Sequence, residues 1–506
     1  MTVAIRADAS VQIGTGHVMR CLTLAGALRE KGMDVSFVCR EHPGHLCEWI
    51  ESAGFPVIRL PSPDVPATAG SLAHSHWLGV SQEDDARETQ AALGKGGRCE
   101  WLIADHYALD ASWESAMRSL ARRIMAIDDL ADRKHDCDLL LDQNYCADRE
   151  TRYDERVPPD CRKLLGPRYA LLRNEFIESR ANLRKRDGTV SRILVFFGGT
   201  DPTNQTAKAI ESLILLGRPD LEVNVVGGQN NPQWKKIAEL CAAAPNFHFH
   251  RQVANMAEVM AAADLAIGAG GVAMWERSCL GLPAIVLSIA DNQRPGSDAV
   301  GRAGGILYLG EGHSVSVEQL SNALKLMCSS PHLLAKMSEY GLGLVDGRGT
   351  QRVARRLTGK QIVLRRATEK DCESIYGWRN DEETRRFSGN GAPIPFEDHL
   401  LWFKNALANP DRAILIGDME GHAAGVLRYD REGERAVASV YLVPGNEGRG
   451  LGTVLIEEGT QWVKLNWPAV KNIDARIQPG NLASIAAFEE AGFRKQHSIY
   501  SKSVRS

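Results

Sequence analysis

Short apolar runs alternate with stretches of helical spacing along most of this chain. VAIRA (3–7) predicts a strand, and HVMRCLTLAGALREKG (17–32) places its apolar residues at helical intervals, with Gly32 at the expected stop. DVSFVCR (34–40), WLIADHY (101–107) and RIMAIDDL (123–130) predict further strands, and strand–helix–strand order with short connections predicts a doubly wound parallel sheet. Residues Asp142 to Phe176 break this rhythm with Pro, Arg and Tyr, as a crossover between lobes does. The rhythm resumes with RILVFFGG (192–199), LEVNVVGG (221–228), DLAIGAGG (264–271) and AIVLS (284–288), with helices expected near 203–216, 233–243 and 272–280. A helix near 349–357 closes this half, TGKQ (358–361) forms a junction, and IVLRRAT (362–368) opens a third unit. The pattern predicts an α/β protein in three parts: Rossmann-like lobes over 1–185 and 186–358, then a domain over 361–506. Two such lobes imply a ligand cleft at the carboxyl ends of their strands.

Composition narrows the function classes. The 506 residues exceed one ordinary domain, and 44% hydrophobic with 24% charged residues is usual for globular chains. Sixty basic against 63 acidic side chains leave a net charge of -3, which speaks against a nucleic-acid partner. No run approaches a membrane span, and Arg6 and Asp8 sit where a signal peptide would carry its apolar core, so the expectation is a cytoplasmic protein without a membrane partner. The 11 cysteines contain no C-x-x-C pair, so reduced thiols are expected, and no metal. Nothing in the sequence fixes an oligomeric state.

Gly14 and Gly16 lie between a strand and a helix, where glycine lets backbone approach a ligand and the helix start offers N–H groups to an anion. His17 begins that helix and has the chemistry of a base near neutral pH. In the second lobe, Gly199 and Thr200 follow a strand, and Asp201 suits a helix cap as well as a ligand contact. Gly270 and Gly271 precede a helix carrying Glu276, a carboxylate able to accept both hydroxyls of a ribose. Trp275 reads as packing. Asn292 follows AIVLS at a strand's carboxyl end, and Asn144 follows DLLLDQ.

The string carried by Arg6, Asp8, Ser10, Ile13, Gly14, Gly16, His17 and Arg20 resembles the opening of the UDP-2,4-diacetamido-2,4,6-trideoxy-β-L-altropyranose hydrolases of pseudaminic acid biosynthesis, which have the glycosyltransferase-B fold. ADHYALDASWE (104–114), IDDLADRKHDCDLLLDQN (127–144), LLGPRYALLRNEF (164–176), FGGTDPTN (197–204) and GAGGVAMWERSCLGLP (268–283) extend the resemblance through about residue 357. It implies that His17 activates water, that Glu276 holds the ribose, and that Gly14, Gly16, Asn144, Gly199, Thr200, Gly270, Gly271 and Asn292 contact the UDP-sugar.

The last third contains a strand (435–443) running into Glu447-Gly448-Arg449-Gly450-Leu451-Gly452 and a helix, a loop suited to wrapping a pyrophosphate. No βαβ unit with an acidic ribose ligand follows, which disfavours a dinucleotide. With NIDARIQPGNLASIAAFEEAGFRK (472–495) it resembles the Gcn5-related N-acetyltransferases. That resemblance implies acetyl-CoA as acetyl donor, with Val443, Gly448, Arg449, Gly450, Gly452 and Thr453 at the pyrophosphate loop and Asn481 at the pantetheine arm. Glu447 departs from the family's usual Gln or Arg, and Phe488 from the tyrosine that protonates the leaving thiolate, which leaves Tyr500 or a water as the acid. Residues 366–387 with EDHLLWF (397–403) are similar to the branch that acetylates UDP-4-amino sugars, with Arg379 and Asn380 as acceptor-site candidates and Glu397 and His399 as a proton relay or a helix start. Trp378, Trp402 and Phe403 read as core.

Together the two resemblances imply a bifunctional enzyme acting on UDP-sugars: acetylation of UDP-4-amino-4,6-dideoxy-N-acetyl-β-L-altrosamine, then inverting hydrolysis of the diacetamido product. A glycosyltransferase using the same cleft, or a sensor binding nucleotide sugar and CoA without turnover, are the alternatives.

Overall fold

Seven strands at the start of the chain form one parallel sheet: β1 (Thr2–Ala7), β2 (Asp34–Arg40), β3 (Val57–Leu60), β4 (Cys99–Asp105), β5 (Ala121–Ile127), β6 (Leu139–Asp142) and β7 (Arg162–Leu165). Their order is β3-β2-β1-β4-β5-β6-β7. The structure, a computed structural model, describes residues 1–63, 70, 72–228, 231–359, 362–387, 391–419 and 421–496, and separates into two units, Met1–Thr358 and Gly359–Ser506. Strands such as WLIA and LLLD are apolar throughout because helices cover both faces of the sheet. One face buries Ile5, Ile103 and Leu141 under the helix Gly16–Glu30, and the other buries Leu102, Ile124 and Trp113. The irregular stretch after Asp142 contributes β7, whose residues Arg162–Leu165 pair in parallel with β6. Its polar first half, Arg162-Lys163, suits an edge strand, and it carries no alternating signal in the sequence.

The second lobe is a six-stranded sheet of β8 (Arg192–Phe196), β9 (Glu222–Val226), β10 (Phe247–His250), β11 (Leu265–Ala269), β12 (Ala284–Ser288) and β13 (Leu307–Glu311), ordered β10-β9-β8-β11-β12-β13 and parallel throughout. The helix Gly349–Thr358, read from sequence as the end of this half, returns to the first lobe. Val353, Ala354 and Leu357 join the first lobe's core, and Trp101 Nε1 donates to Leu357 O at 2.9 Å.

Beyond residue 358 lies a five-stranded sheet: β14 (Val363–Arg366), β15 (Arg412–Met419), β16 (His422–Glu432), β17 (Arg435–Leu442) and β18 (Asn472–Ala475) in sequential order, antiparallel except for β17 with β18. No helix among the described residues is long and apolar enough to cross a membrane. All 11 cysteines are free thiols.

Buried ion pairs brace the first lobe. Arg6 donates to Asp8 at 2.6 Å and to Asp85 at 2.7 Å, Arg40 donates to the same Asp85 oxygen at 2.7 Å, and all four side chains are fully buried. The R-x-D part of the opening string is therefore scaffold, since a lone buried charge would be costly and each here is paired. A second cluster holds His135 between Glu114, at 2.8 Å, and Asp128, at 3.7 Å. Burial opposes its charge, but the two carboxylates raise its pKa to about 9. A raised histidine stabilises fully below its unfolded pKa of about 6.5, and that contribution is lost as pH rises through about 9. His135→Gln is thus expected to cost about 3 kcal/mol at pH 6. Urea unfolding of wild type and variant should converge above the folded-state pKa; a pH-independent gap would show that His135 carries no charge.

Candidate functional site

Strand order reverses between β1 and β4 in the first lobe and between β8 and β11 in the second, which opens a crevice at each pair of carboxyl ends. The loop after β1 carries Gly14 and leads into a helix that begins with Gly16 and His17, and β4 ends on Asp105. The loop after β8 carries Gly199 and Thr200, and the one after β11 carries Gly270 and Gly271.

In the first loop, Ser10 Oγ accepts from the amides of Gln12 and Ile13, and Gly14 N donates back to Ser10 O at 2.9 Å. This tight turn requires φ of +78° at Gly14, a region glycine occupies without strain. A Cβ built on Gly14 or Gly16 meets nothing within 4 Å, so the backbone here faces open space. Behind it, His17 Nδ1 lies 2.6 Å from Asp105 Oδ1, and Arg20 grips both carboxylate oxygens, Nε to Oδ2 at 2.7 Å and one terminal nitrogen to Oδ1 at 2.6 Å. Burial disfavours the Asp105 charge, but Arg20 and then His17 outweigh it and hold the carboxyl well below its ordinary range. An ionised acceptor at Nδ1 puts the imidazole proton there and leaves the Nε2 lone pair to take a proton.

Arg20 also approaches Asp129, at 3.4 Å, and Asp129 gathers the remaining polar groups. Tyr107 donates its hydroxyl to Asp129 Oδ1, and Asn144 donates to Oδ2 at 3.1 Å. Burial and then Asp129 push the Tyr107 phenol far up, so it is a neutral donor. The second lobe enters this network twice: Asn292 Nδ2 donates to Tyr107 OH at 3.2 Å, and Trp275 Nε1 donates to Asn144 Oδ1 at 3.2 Å. Trp275 is fully buried, in agreement with packing.

Other second-lobe candidates fall into two groups. Gly271, at φ +75°, caps the helix Val272–Cys279, and Glu276 lies one turn inside it, 3.4 Å from Arg173. Burial raises the Glu276 pKa and Arg173 partly offsets that. A Cβ on Gly270 would lie 2.6 Å from Ser297 Oγ, so close packing demands that glycine; a Cβ on Gly199 would lie 3.4 Å from Thr15 Oγ1, beside the first-lobe loop. Asp201 is buried and accepts from the amides of Gln205 and Thr206 and the hydroxyl of Thr206, which is capping.

In the second unit, β17 pairs with β18 only from Arg435 to Ala438 and then continues to Leu442, so the two strands part at that end. Val443 follows β17, and its N–H donates to Ala424 O. Gly448 and Gly450 take φ of +73° and +72°, Gly450 caps the helix Leu451–Asn466, and a Cβ on Gly448 meets nothing within 4 Å. Arg449 is exposed. These features fit a pyrophosphate loop, although Glu447 folds back to accept the amide of Gly445 at 2.8 Å. A Cβ built on Gly452 would lie 3.7 Å from the Ala487 side chain, an ordinary contact. The Thr453 hydroxyl is buried and donates to Glu490 at 3.0 Å, so only its backbone suits a phosphate. Asn481 caps the helix Leu482–Glu490 through Ser484 N. Phe488 is buried edge-on to Phe493, and Tyr500 lies outside the described residues. Asn380 spends both ends of its amide on the backbone of Ile394, at 2.9 and 2.8 Å, and buried His399 approaches Cys372 O among Tyr376, Trp402 and Phe403. These contacts hold both side chains within the fold. Phe403 is core, and Trp378 and Trp402 pack against it.

Residues 192–345 match the glycosyltransferase family 28 C-terminal domain, and residues 361–494 match the acetyltransferase (GNAT) domain. The spore coat polysaccharide biosynthesis protein SpsG of Bacillus subtilis is 31% identical over 360 residues, covering 70% of this chain and 96% of that protein. The chain belongs to the SpsG family. A UDP-2,4-diacetamido-2,4,6-trideoxy-β-L-altropyranose hydrolase of Campylobacter jejuni is 28% identical over 263 residues, 51% of this chain and 81% of that enzyme. The uncharacterized protein MJ1062 of Methanocaldococcus jannaschii is 25% identical over 526 residues, 98% of this chain and 97% of its own length. The chain is thus a sugar-nucleotide-hydrolase-like unit of glycosyltransferase-B type fused to a GNAT acetyltransferase, as its motifs led us to expect.

In this member of the SpsG family, Asp105, Tyr107 and Asp129 stand with His17, yet spacing alone does not single them out. Their signal is positional: Asp105 and Tyr107 lie at or just past the carboxyl end of β4, which flanks the point where strand order reverses, and Asp129 lies just past the carboxyl end of β5, the next strand.

Proposed function

We propose that the first unit hydrolyses a UDP-sugar, UDP-2,4-diacetamido-2,4,6-trideoxy-β-L-altropyranose, and that the second makes this compound by acetylating its 4-amino precursor with acetyl-CoA. The observation that carries the hydrolase reading is the His17–Asp105 pair beside the open glycine loop. In this reaction His17 Nε2 takes a proton from water, the water oxygen bonds to the anomeric carbon, and the bond from that carbon to the UDP oxygen breaks with inversion. UDP leaves with the bonding pair, and the glycine turns and Glu276 of the second lobe hold it. In the second unit the sugar amine attacks the acetyl carbonyl, the carbon–sulfur bond breaks, CoA departs as thiolate, and the proton the amine sheds passes through water to that sulfur. The loop Gly448–Thr453 and the helix start behind it would hold the donor's pyrophosphate, and the parted ends of β17 and β18 would admit its arm.

The test supplies the full chain with the 4-amino sugar nucleotide. UDP should appear only when acetyl-CoA is present, because the two steps are consecutive. Gly450→Asp, which sets a side chain and a negative charge at the helix start, should reduce acetylation by at least about 100-fold while UDP release from added diacetamido compound persists. Unchanged acetyl-CoA affinity in that variant refutes the cofactor loop, and transfer of the sugar from UDP to an acceptor hydroxyl in preference to water favours a glycosyltransferase.

A further inference from the structure

A cluster of rings beside His17 has no part in the reaction just described. Past β3, the turn Ser75–Trp77 is anchored by Leu78, which is buried in the first lobe's core, whereas Trp77 itself stays partly exposed and outside that core. The indole lies nearly parallel to the Tyr107 ring, 5.5 Å away at 26°, and edge-on to His17 at 6.2 Å. His74 packs 4.5 Å from Trp77 and 5.3 Å from Tyr107, and Tyr107 meets His17 edge-on at 4.6 Å. Four rings thus converge where the proposed water-activating nitrogen sits. Burial keeps His74 below its ordinary pKa, with Asp132 opposing the shift and Arg133 adding to it, so the wall it forms with Trp77 is uncharged near neutral pH.

An indole left partly exposed at a reaction centre forgoes some of the burial that a core position would give, and it offers a large, rigid, apolar face. The ribose and diphosphate contacts proposed above lie in the second lobe, so a first-lobe wall beside His17 meets the sugar. A fully hydroxylated hexose would lose hydration against these rings without regaining hydrogen bonds. A methyl group in place of a hydroxymethyl, or the methyl of an acylated amine, loses nothing there.

We infer that Trp77, backed by His74, is a specificity-determining wall that selects sugar nucleotides bearing deoxygenated and N-acylated positions over hydroxylated ones. This rests on the hydrolase reading of the first unit, and its test is built to separate the two. Binding is measured by calorimetry on the full chain carrying His17→Phe, with UDP, UDP-N-acetylglucosamine and the UDP-diacetamido-trideoxy sugar as probes. The trideoxy compound should bind at least about 10-fold tighter than UDP-N-acetylglucosamine, in the range that one or two methyl-sized differences give an apolar pocket. Adding Trp77→Ala should remove most of that preference, Trp77→Phe should keep most of it, and UDP affinity should stay unchanged in both. No preference in the starting protein, a preference that survives Trp77→Ala, or an equal loss of UDP affinity, which would place the ring on the nucleotide, each overturns the wall. Tight selective binding by a wild-type chain that releases no UDP refutes the hydrolase reading and leaves the wall standing.

Discussion

Replacing His17 with phenylalanine should lower UDP release by about 10²–10⁴-fold, the usual loss when a positioned base is removed. The ring fills the same space against Tyr107 but offers no lone pair to the attacking water. UDP affinity should be preserved, because the glycine turns and Glu276 proposed to hold UDP belong to the other lobe. Hydrolysis by wild type in ¹⁸O-labelled water should place the label in the released sugar and none in UDP. Label in UDP would mean attack at phosphorus, and a fully active variant would remove His17 from the chemistry. Circular dichroism and urea unfolding identify a variant that is inactive only because it is misfolded.

What could be read from sequence followed from which physical signals are local. Glycine before a helix is a local signal, so the loops at Gly14–His17, Gly270–Gly271 and Gly448–Gly452 were legible, as were the apolar strands they follow. The strands left out were short or partly polar: Arg162–Leu165 begins with two cations, and Phe247–His250 alternates with two histidines. Partner choice is not local. Asp129 receives Tyr107, Arg20 and Asn144 from separate elements, and only the strand order that sets these segments side by side reveals it. The same limit explains Thr453 and Asn380, whose residue types suit a ligand but whose polar atoms are engaged by Glu490 and Ile394.

Asp105→Asn should nearly match the loss at His17, although Asp105 touches neither water nor sugar in the proposed reaction. The native carboxylate only accepts hydrogen bonds, and it accepts from His17 Nδ1 and from two nitrogens of Arg20 at once. An amide has one accepting end. With its NH₂ toward His17 it must donate to Nδ1, which moves the imidazole proton to Nε2 and blocks that nitrogen from taking one from water. With its NH₂ toward Arg20 Nε, the histidine keeps its tautomer, but two donors face each other in a buried site. In both orientations the imidazolium formed during attack loses its counter-charge and stands near the Arg20 guanidinium. The corresponding change in protease triads costs about 10⁴-fold in kcat, and a loss of about 10³–10⁴ is expected here. Breaking a buried pair on one side also costs about 3–5 kcal/mol of stability, softened by Asp129 at 3.4 Å from Arg20, so urea unfolding should show the variant weakened but folded. The decisive readout is the split between kcat and binding: kcat collapses while calorimetric UDP affinity stays near that of wild type. An unchanged kcat would show that His17 does not depend on Asp105 for its tautomer or its charge.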